Sequence, residues 1–501
     1  NLQCLPDNGS CSCPPSVDLS SDVENCGVCG NECAYPNALS FCSSGVCQLK
    51  DCENGWTDLD NSVENGCEYA CEKTSETDEP DPSGLDADCD GIDGDEARAV
   101  FVAPWGTKGA PGSKFNPIPE IMDGIAKAKS LGKDHVYIAA GTYEERVVVS
   151  AGVSLFGGYS EDGNWTRNVS VNLTIIQSDE IDDDGAIRAL VVDNIQTPTT
   201  IAGLQIRSGN NPEIGGSSYG VWMRQVNSAV ALRTSRVVSG SGGPGAHGLN
   251  GEPGASGVPG GPGTSTTETD FSCNEFDTYG GIGGQGGNNT CAGGEAGGGD
   301  GADGSCGDDP ANVGASSGGG ASGGQGETAG QSGPNGPIGV HGAGGAEGGV
   351  VSPLGFWSGN AGASGTPGSD GTGGGGGGSG MGNTGGWVGL SMWGGGGGGG
   401  GSGGCGGTAA QAGSAGGGSF AVFLIDASPK LFANAFSHNS GGHGGNGGVG
   451  GPGGPGKEGG TGGTGHDKAT DGAAGGSGGT GGSGGNGGGG SGGDAYGIYL
   501  V

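Results

Sequence analysis

The chain has 501 residues, of which 131 are glycine, and a formal net charge of −36 at pH 7. Hydrophobic residues make up 31% of the chain, so one large conventional core is excluded and several modules are expected. The acidity argues against a nucleic-acid partner and in favour of bound cations, with solubility as the simpler explanation. Apolar runs stay shorter than the ~18 residues that a membrane span requires, so we expect no membrane span.

The composition of residues 1–98 predicts an acidic, disulfide-rich and helix-poor module. They carry 22 Asp or Glu against three Lys or Arg, and few large apolar residues. A dense, even set of cysteines in such a segment is typical of proteins from oxidising compartments, which predicts secretion or display at a cell surface. The twelve cysteines of this module are Cys4, Cys11, Cys13, Cys26, Cys29, Cys33, Cys42, Cys47, Cys52, Cys67, Cys71 and Cys89.

Zinc bound through Cys26 and Cys29 is the alternative use of these cysteines. The pair has neither a second Cys-x-x-Cys nor a histidine partner at the usual spacing, so disulfides are favoured. Four further cysteines lie in glycine-rich sequence, and we expect them to tie that sequence together. They are Cys273, Cys291, Cys306 and Cys405.

The end of the cysteine-rich module contains carboxylates at alternate positions before a glycine, Asp86-Ala-Asp-Cys-Asp-Gly91. Hard oxygen ligands that converge in this way open a calcium loop, and the glycine permits its sharp turn. The sequence therefore predicts a calcium site, with an acidic solvated linker as the alternative. The predicted ligands are Asp86, Asp88, Asp90, Asp93, Asp95 and Glu96.

This acidic loop departs from an EF-hand, because the twelfth position is Ala97 rather than glutamate. With Cys89 inside the loop, it resembles the calcium motifs of thrombospondin type 3 repeats and related bacterial repeats. A second, weaker candidate runs from Asp58 through Asp60 and Glu64 to Gly66.

The segment 99–240 predicts strands and one helix. A strand is expected at 99–103, followed by a helix over 118–129, where Ile121, Ile125 and Ala128 share one face. Two β-rich runs follow at 135–143 and 146–159.

An internal repeat then indicates a solenoid. Segments that begin at Ala186, Tyr219 and Phe420 share one pattern of about 22 residues, and Tyr496 begins it again. We expect β-coils at 99–240, 419–441 and 495–501. The glycine-rich tracts 241–418 and 442–494 interrupt the coils at matching points, as insertions into a solenoid do.

Both tracts keep glycine at every third position over long stretches, such as 245–263 and 333–348. A period of three is one turn of the extended polyproline-II helix. We expect bundled polyglycine-II helices that pair their backbone groups sideways. A flexible, disordered linker is the ordinary interpretation of such composition. A collagen triple helix is disfavoured, because Gly-Gly-X with little proline suits it poorly.

The coil pattern, the opening helix and Ile138-Ala-Ala-Gly-Thr-Tyr143 resemble the right-handed parallel β-helix (pectate-lyase-like) proteins secreted by bacteria. The cysteine-rich segments around Asn25–Cys33, Asn65–Glu68 and Cys89–Asp95 look like leaders of large surface proteins from myxobacteria and related groups. The resemblance implies that the coils form a right-handed parallel β-helix. Together with the polyglycine-II insertions and the disulfide-rich, helix-poor N-terminal module, the expected fold is mainly β. It also implies a bacterial, secreted or cell-surface location.

Pectate-lyase-like enzymes use a calcium-binding carboxylate cluster with a basic residue on one β-helix face. The charged residues of the coils are scattered along the sequence, and the Gly-x-Ser-x-Gly matches arise from composition without the strand–turn–helix context. We therefore expect no enzyme. The charged coil residues are Arg188, Asp193, Arg207, Arg224, Arg233, Arg236 and Asp426.

The function expected from the sequence is that of an extracellular structural protein, a subunit of a surface fibre or filament, or an adhesin. It would self-associate head to tail and contact surface glycans. The alternatives are a carbohydrate-active enzyme and a glycan-binding or ice-binding module. Three consecutive sequons, at Asn164, Asn168 and Asn172, are candidate glycosylation sites.

Overall fold

The computed structural model describes residues 3–4, 11–12, 14–266, 280–307, 309–318, 321–385 and 390–501, and the fold is mainly β. The N-terminal module consists of three short antiparallel strand pairs. Its strands are β1 (Gln3–Cys4), β2 (Cys11–Ser12), β3 (Ala38–Ser43), β4 (Val46–Cys52), β5 (Trp56–Thr57) and β6 (Tyr69–Ala70).

Disulfides hold this module together, as predicted. Four of them join described cysteines, and Cys29 is disulfide-bonded as well. Cys13 and Cys273 lie outside the described residues. The four bonds are Cys26–Cys42, Cys33–Cys47, Cys52–Cys67 and Cys71–Cys89. Because both cysteines of the candidate zinc pair are oxidised, neither offers a thiolate to a metal.

A 3-10 helix (Glu96–Arg98) leads into the coils. Their one α-helix, α1, spans Ile121–Leu131 and ends at Gly132, whose φ is +68°. The first twelve strands are β7 (Ala99–Val102), β8 (His135–Ala139), β9 (Gly141–Glu144), β10 (Val147–Val148), β11 (Ser154–Tyr159), β12 (Thr174–Ser178), β13 (Ile187–Asp193), β14 (Thr199–Ala202), β15 (Leu204–Ser208), β16 (Ser218–Arg224), β17 (Val230–Arg233) and β18 (Arg236–Val238).

The first glycine-rich insertion follows β18 and contributes three small hairpins. The chain then returns to the coils, and a second insertion separates the last two groups of strands. The hairpins are β19 (Thr290–Cys291) with β20 (Gly294–Glu295), β21 (Gly349–Val351) with β22 (Trp357–Gly359), and β23 (Asn383–Gly385) with β24 (Leu390–Met392). The last coil strands are β25 (Ser419–Ile425), β26 (Lys430–Phe432), β27 (Ala435–Ser437) and β28 (Ala495–Leu500).

The coil strands form three parallel sheets, which the chain visits in rotation. The first sheet has the order β10-β13-β16-β25-β28, the second β26-β17-β14-β11-β8-β7, and the third β27-β18-β15-β12-β9. Each insertion leaves after a strand of the third sheet and returns to a strand of the first sheet. Both glycine tracts therefore emerge from the same corner, as the repeat predicted.

The register corrects the length of the repeat. Ile187 pairs with Ser218, which follows it by 31 residues. The 22-residue unit is the part from 187 to 208 that carries the strands, and the corner 209–217 completes the circuit. Arg188, rather than Ala186, is the partner of Tyr219.

Apolar side chains from all three sheets fill the space between them. Leu190, Val221 and Val422 are fully buried there and lie in register across the first sheet. Helix α1 buries Ile121 and Ile125 against the same core, with Ala128 on the same face as predicted. The carboxylate of Glu145 accepts the backbone N–H groups of Ile121 and Met122, which satisfies two orphan donors of the first helical turn.

The described glycine segments are cross-linked by backbone hydrogen bonds with a period of three. Gly245, Gly248, Gly251 and Gly254 donate to the carbonyls of His443, Asn446, Val449 and Pro452 in turn, at 2.7–2.9 Å. Donors and acceptors advance together, so the two segments run parallel. Segments 442–463 and 472–493 are also joined by a bond at every third residue, but these two segments run antiparallel.

One pure-glycine stretch, 394–401, lies at the centre of this bundle. Its residues Gly398, Gly399 and Gly400 donate to three different segments and accept from three more, all at 2.7–2.9 Å. Their N–H groups donate to the carbonyls of Ala473, Gly261 and Gly299, and their carbonyls accept from the N–H groups of Gly377, Gly460 and Gly287. Because neighbouring segments surround this stretch on every side, none of Gly398, Gly399 and Gly400 has room for a Cβ.

The space around each glycine explains the composition of each triplet. A Cβ added to Gly398 would lie 2.0 Å from the carbonyl oxygen of Gly460, whereas one at Gly489 would have 3.4 Å to its nearest atom. Outer segments such as 245–263 expose two positions per turn and read Gly-X-Y. The central segment exposes none and reads Gly-Gly-Gly. A disulfide between Cys291 and Cys405 ties hairpin β19–β20 to the chain just after this pure-glycine stretch.

Candidate metal centre

The acidic loop folds around the side chain of Asp86. Its carboxylate accepts the N–H of Cys89 at 2.6 Å and the N–H of Gly91 at 2.8 Å. Both donors have a positive φ, +61° and +93°, which bends the backbone back toward Asp86. The aspartate, the glycine and the left-handed cysteine therefore produce the tight turn that the sequence pattern predicts.

The turn brings five carboxylates into two groups that share Asp88. Oxygens of Asp78, Asp86 and Asp88 lie within 4.8 Å of one another, and so do oxygens of Asp88, Asp90 and Asp95. Four of the six predicted ligands are thus brought together. Asp78 was missed by the sequence reasoning, because it precedes the motif by eight residues and is held in place by the N–H of Gly94 at 2.8 Å.

Burial and mutual repulsion disfavour the charged forms of these groups. Burial, together with the charges of Asp86, Asp78 and Asp95, raises the pKa of Asp88 to about 6. Burial raises the pKa of Asp90 to about 7, against the opposing N–H of Glu96. A cation between the carboxylates would remove the repulsion and restore the charged forms. One oxygen of Asp88 is buried without a hydrogen-bond partner among the described residues.

The other two predicted ligands lie elsewhere. Asp93 forms a buried ion pair with Arg167 at 3.1 Å, and burial still raises its pKa to about 6. Glu96 lies 3.8 Å from Lys114. Neither belongs to the two carboxylate groups. Asp93 instead joins the acidic loop to the coils, where Tyr159 donates its hydroxyl to the Asp93 carbonyl at 2.7 Å.

The second calcium candidate also gathers carboxylates, with a different membership. Oxygens of Asp58, Asp60 and Glu68 lie within 4.8 Å of one another. Glu68, rather than Glu64, completes the group because strand β6 follows it and pairs with β5 beside Asp58.

The first sheet gathers charged residues that look scattered in the sequence. Asp193 is in register with Arg224, and their bidentate pair has N···O distances of 2.9 and 2.7 Å. Arg188 pairs with Asp184 at 2.6 Å and with Asp182 at 2.5 Å. The expectation that these residues are not clustered is therefore wrong for Arg188, Asp193 and Arg224. The sequence signal for this pair is the 31-residue repeat, which places Asp193 opposite Arg224.

The three sequons differ in accessibility. Asn164 and Asn168 are exposed, whereas Asn172 donates its amide to the carbonyls of Gly158 and Thr166 at 3.1 and 2.9 Å. Asn164 donates its amide to Asp162 at 2.9 Å. In the folded chain only the first two side chains are exposed to a modifying enzyme.

No family model, curated protein or solved structure matches this chain. Within the described ranges, no helix is both long enough and apolar enough to cross a membrane. Five disulfides between described cysteines indicate folding in an oxidising, extracellular environment.

Proposed function

We propose that this chain is an extracellular structural protein, a subunit of a bacterial surface fibre or filament. The observation that carries the proposal is the glycine bundle, in which backbone hydrogen bonds and excluded Cβ atoms account for the sequence. Most of its buried positions among the described residues are glycine, with a few small residues such as Ser379 and Ser402. Disulfides at both the N-terminal module and the bundle are consistent with a scaffold that must survive outside the cell.

The fold underlying this proposal is a right-handed parallel β-helix with polyglycine-II insertions. Support for the hand comes from the strong preference of parallel crossover connections for right-handed turns. Support for polyglycine II comes from the three-residue period of the sideways hydrogen bonds. Circular dichroism and fibre diffraction of the intact protein test this assignment, since α-helical or disordered glycine tracts would contradict it.

The acidic loop is proposed to bind calcium through Asp86, Asp88, Asp90 and Asp95, with Asp78 as a further ligand. Oxygen-only donors suit calcium better than a transition metal. Calorimetric titration of the intact chain with calcium should show proton release below pH 7, because Asp88 and Asp90 are partly protonated there. Asp88→Asn should weaken binding, and Glu64→Gln is the matched control, because Glu64 belongs to none of the three carboxylate groups. Equal affinity in the two variants would contradict the assignment.

Self-association is proposed at the face formed by β28. Ile498 and Leu500 lie in register with the buried core residues Val422 and Leu424, yet they are 46% and 68% exposed. A strand from a second copy of the chain, placed beside β28, would cover these two side chains. At the opposite end of the core, helix α1 lies over the first coil, and Met122 Sδ accepts the N–H of Val148. A head-to-tail contact between unlike faces of this kind extends into a filament.

Sedimentation velocity and negative-stain electron microscopy test self-association. We expect oligomers or filaments that Leu500→Lys disperses while the monomer stays folded. Val449→Lys is the matched control, because Val449 is 62% exposed and belongs to the glycine tract 442–494 rather than to strand β28. A monodisperse monomer at all concentrations, or equal dispersal by the control, would contradict the contact.

A further inference from the structure

The first sheet carries an open cleft of about 490 Å³ on its outer face. Val191 and Trp222 of strands β13 and β16 form its floor. The tip of hairpin β21–β22, with Leu354 and Phe356, forms one wall, and the corner loop around Asp182 forms the other. The volume falls within the range of small-molecule sites.

The apolar wall comes from the first glycine insertion and is fixed to the sheet by hydrogen bonds. Trp222 donates its indole N–H to the Gly355 carbonyl at 3.2 Å, and Arg224 donates to the Leu354 carbonyl at 3.3 Å. The N–H of Trp357 donates to the Tyr219 hydroxyl at 3.3 Å. The insertion therefore shapes this cleft in addition to forming the bundle.

A row of alternating charges runs along the opposite wall. Arg146 pairs with Asp182, Asp182 with Arg188, and Arg188 with Asp184. The Arg188 side chain is only 7% exposed and lies 5.2–5.4 Å from the ring centres of three aromatic residues, one of which is Phe356. Its Nε has no hydrogen-bond partner among the described residues, so the protein alone leaves the row incompletely satisfied.

The pairing of these charges restricts the kind of ligand. An anion would meet the carboxylates of Asp182, Asp183 and Asp184, and a cation would meet Arg146 and Arg224. A hydroxyl group both donates and accepts, so it can bond to guanidinium and carboxylate groups in the same row. The apolar wall, formed by exposed Leu354 and half-buried Phe356, suits the C–H face of a ring.

We propose that this cleft binds a neutral, polyhydroxylated ligand, a short segment of an uncharged glycan. This binding site goes beyond the structural role proposed above. It gives the coils a recognition surface that is independent of self-association at β28. The ligand is held between the apolar hairpin tip and the row of paired charges.

Binding of defined tetrasaccharides to the intact protein tests the site. The probes are neutral gluco- and manno-oligosaccharides, with oligogalacturonate and fully deacetylated chitosan oligomers as the acidic and cationic counterparts. We expect a neutral oligosaccharide to bind with a Kd of about 1 mM or tighter and the charged oligomers to bind at least about tenfold more weakly. Binding of a charged oligomer alone, or of none, would overturn the proposal.

Two variants locate the binding. Arg146→Gln removes an outer donor of the row, and Leu354→Ser removes the exposed tip of the apolar wall; each should weaken neutral-sugar binding by about tenfold or more. Arg207→Gln is the matched control, because Arg207 lines a different polar groove on the third sheet. If Arg207→Gln weakens binding as much as the two cleft variants, the site is not this cleft. A circular dichroism spectrum like that of the native protein confirms that each variant is folded. Competition between free saccharide and immobilised glycan for the cleft distinguishes binding of terminal sugar segments from binding of internal ones.

Discussion

The glycine bundle predicts opposite effects for two adjacent glycine-to-alanine substitutions. Gly489 and Gly490 lie in the same segment, and both have negative φ or extended backbone that alanine can adopt. A Cβ at Gly490 would lie 2.0 Å from the Ser414 carbonyl oxygen, and a Cβ at Gly489 would have 3.4 Å to the Gly445 oxygen. Only the second distance is an ordinary van der Waals contact.

The magnitude follows from what must move. To relieve the clash at Gly490, its segment must shift by roughly 1 Å, since Cβ contacts closer than 3.0 Å do not occur in real structures. The shift breaks the bond from the Gly490 N–H to the Gly445 carbonyl and the neighbouring bond from the Gly445 N–H to the Ser414 carbonyl. Two lost hydrogen bonds at about 1 kcal/mol each, with an overpacking cost of about 1–3 kcal/mol, give a loss of about 3–5 kcal/mol.

At Gly489, by contrast, alanine restricts the unfolded chain without a clash, so it should stabilise the bundle by about 0.4–1 kcal/mol. Hydrogen exchange of peptides from 442–493 in the intact protein reads the local free energy of opening, and a thermal scan reports the global effect. Gly490→Ala should accelerate exchange and Gly489→Ala should slow it or leave it unchanged. Equal acceleration by both substitutions would refute the packing described here.

The remaining predictions concern the cation site and the disulfides. In chelator, the N-terminal module should lose stability as pH rises from about 4 to about 7, because the folded pKa values of Asp88 and Asp90, about 6 and about 7, lie above the unfolded value of 3.8. Calcium should remove or reverse this slope in calorimetry, and a rise of stability with pH in chelator would contradict the carboxylate cluster. Replacement of Cys291 and Cys405 by serine removes a cross-link between residues 114 positions apart in the sequence. The free energy of unfolding of the bundle, measured by exchange protection, should fall by about 4–5 kcal/mol, and no change would show that the bond is dispensable. Mild reduction should unfold residues 14–98 and leave the coils protected; simultaneous loss of both would show one cooperative unit.

Much of the architecture could be predicted from the sequence because periodicity is a local property. The alternation of apolar residues marks the coil strands, and the shared pattern at Tyr219, Phe420 and Tyr496 places them in the same sheet, where Phe420 does pair with both. The full length of the coil was not predicted, because the corner 209–217 has no strand pattern. The resulting two-residue error for β13 hid the pairing of Asp193 with Arg224.

Contacts that depend on distant parts of the chain were beyond sequence reasoning. Asp78 joins the carboxylate cluster only because Gly94 holds it there, and Leu354 lines the cleft only because the first insertion folds back onto the sheet. The glycine tracts illustrate the opposite case. Their triplet composition records how many sides of each segment are buried, but the period alone does not identify the neighbours.

The central claim, that the glycine tracts form an ordered bundle, is tested most directly by hydrogen exchange in the intact, oxidised protein. The segment to follow is 394–407, which contains the pure-glycine stretch 394–401. Its N–H groups donate to neighbouring segments throughout, so an ordered bundle predicts protection for hours, comparable to that of the buried coil strands. A flexible glycine tract predicts complete exchange within seconds at neutral pH. Protection of 394–407 would support a solid, backbone-bonded scaffold, and exchange as fast as in an unfolded peptide would contradict it.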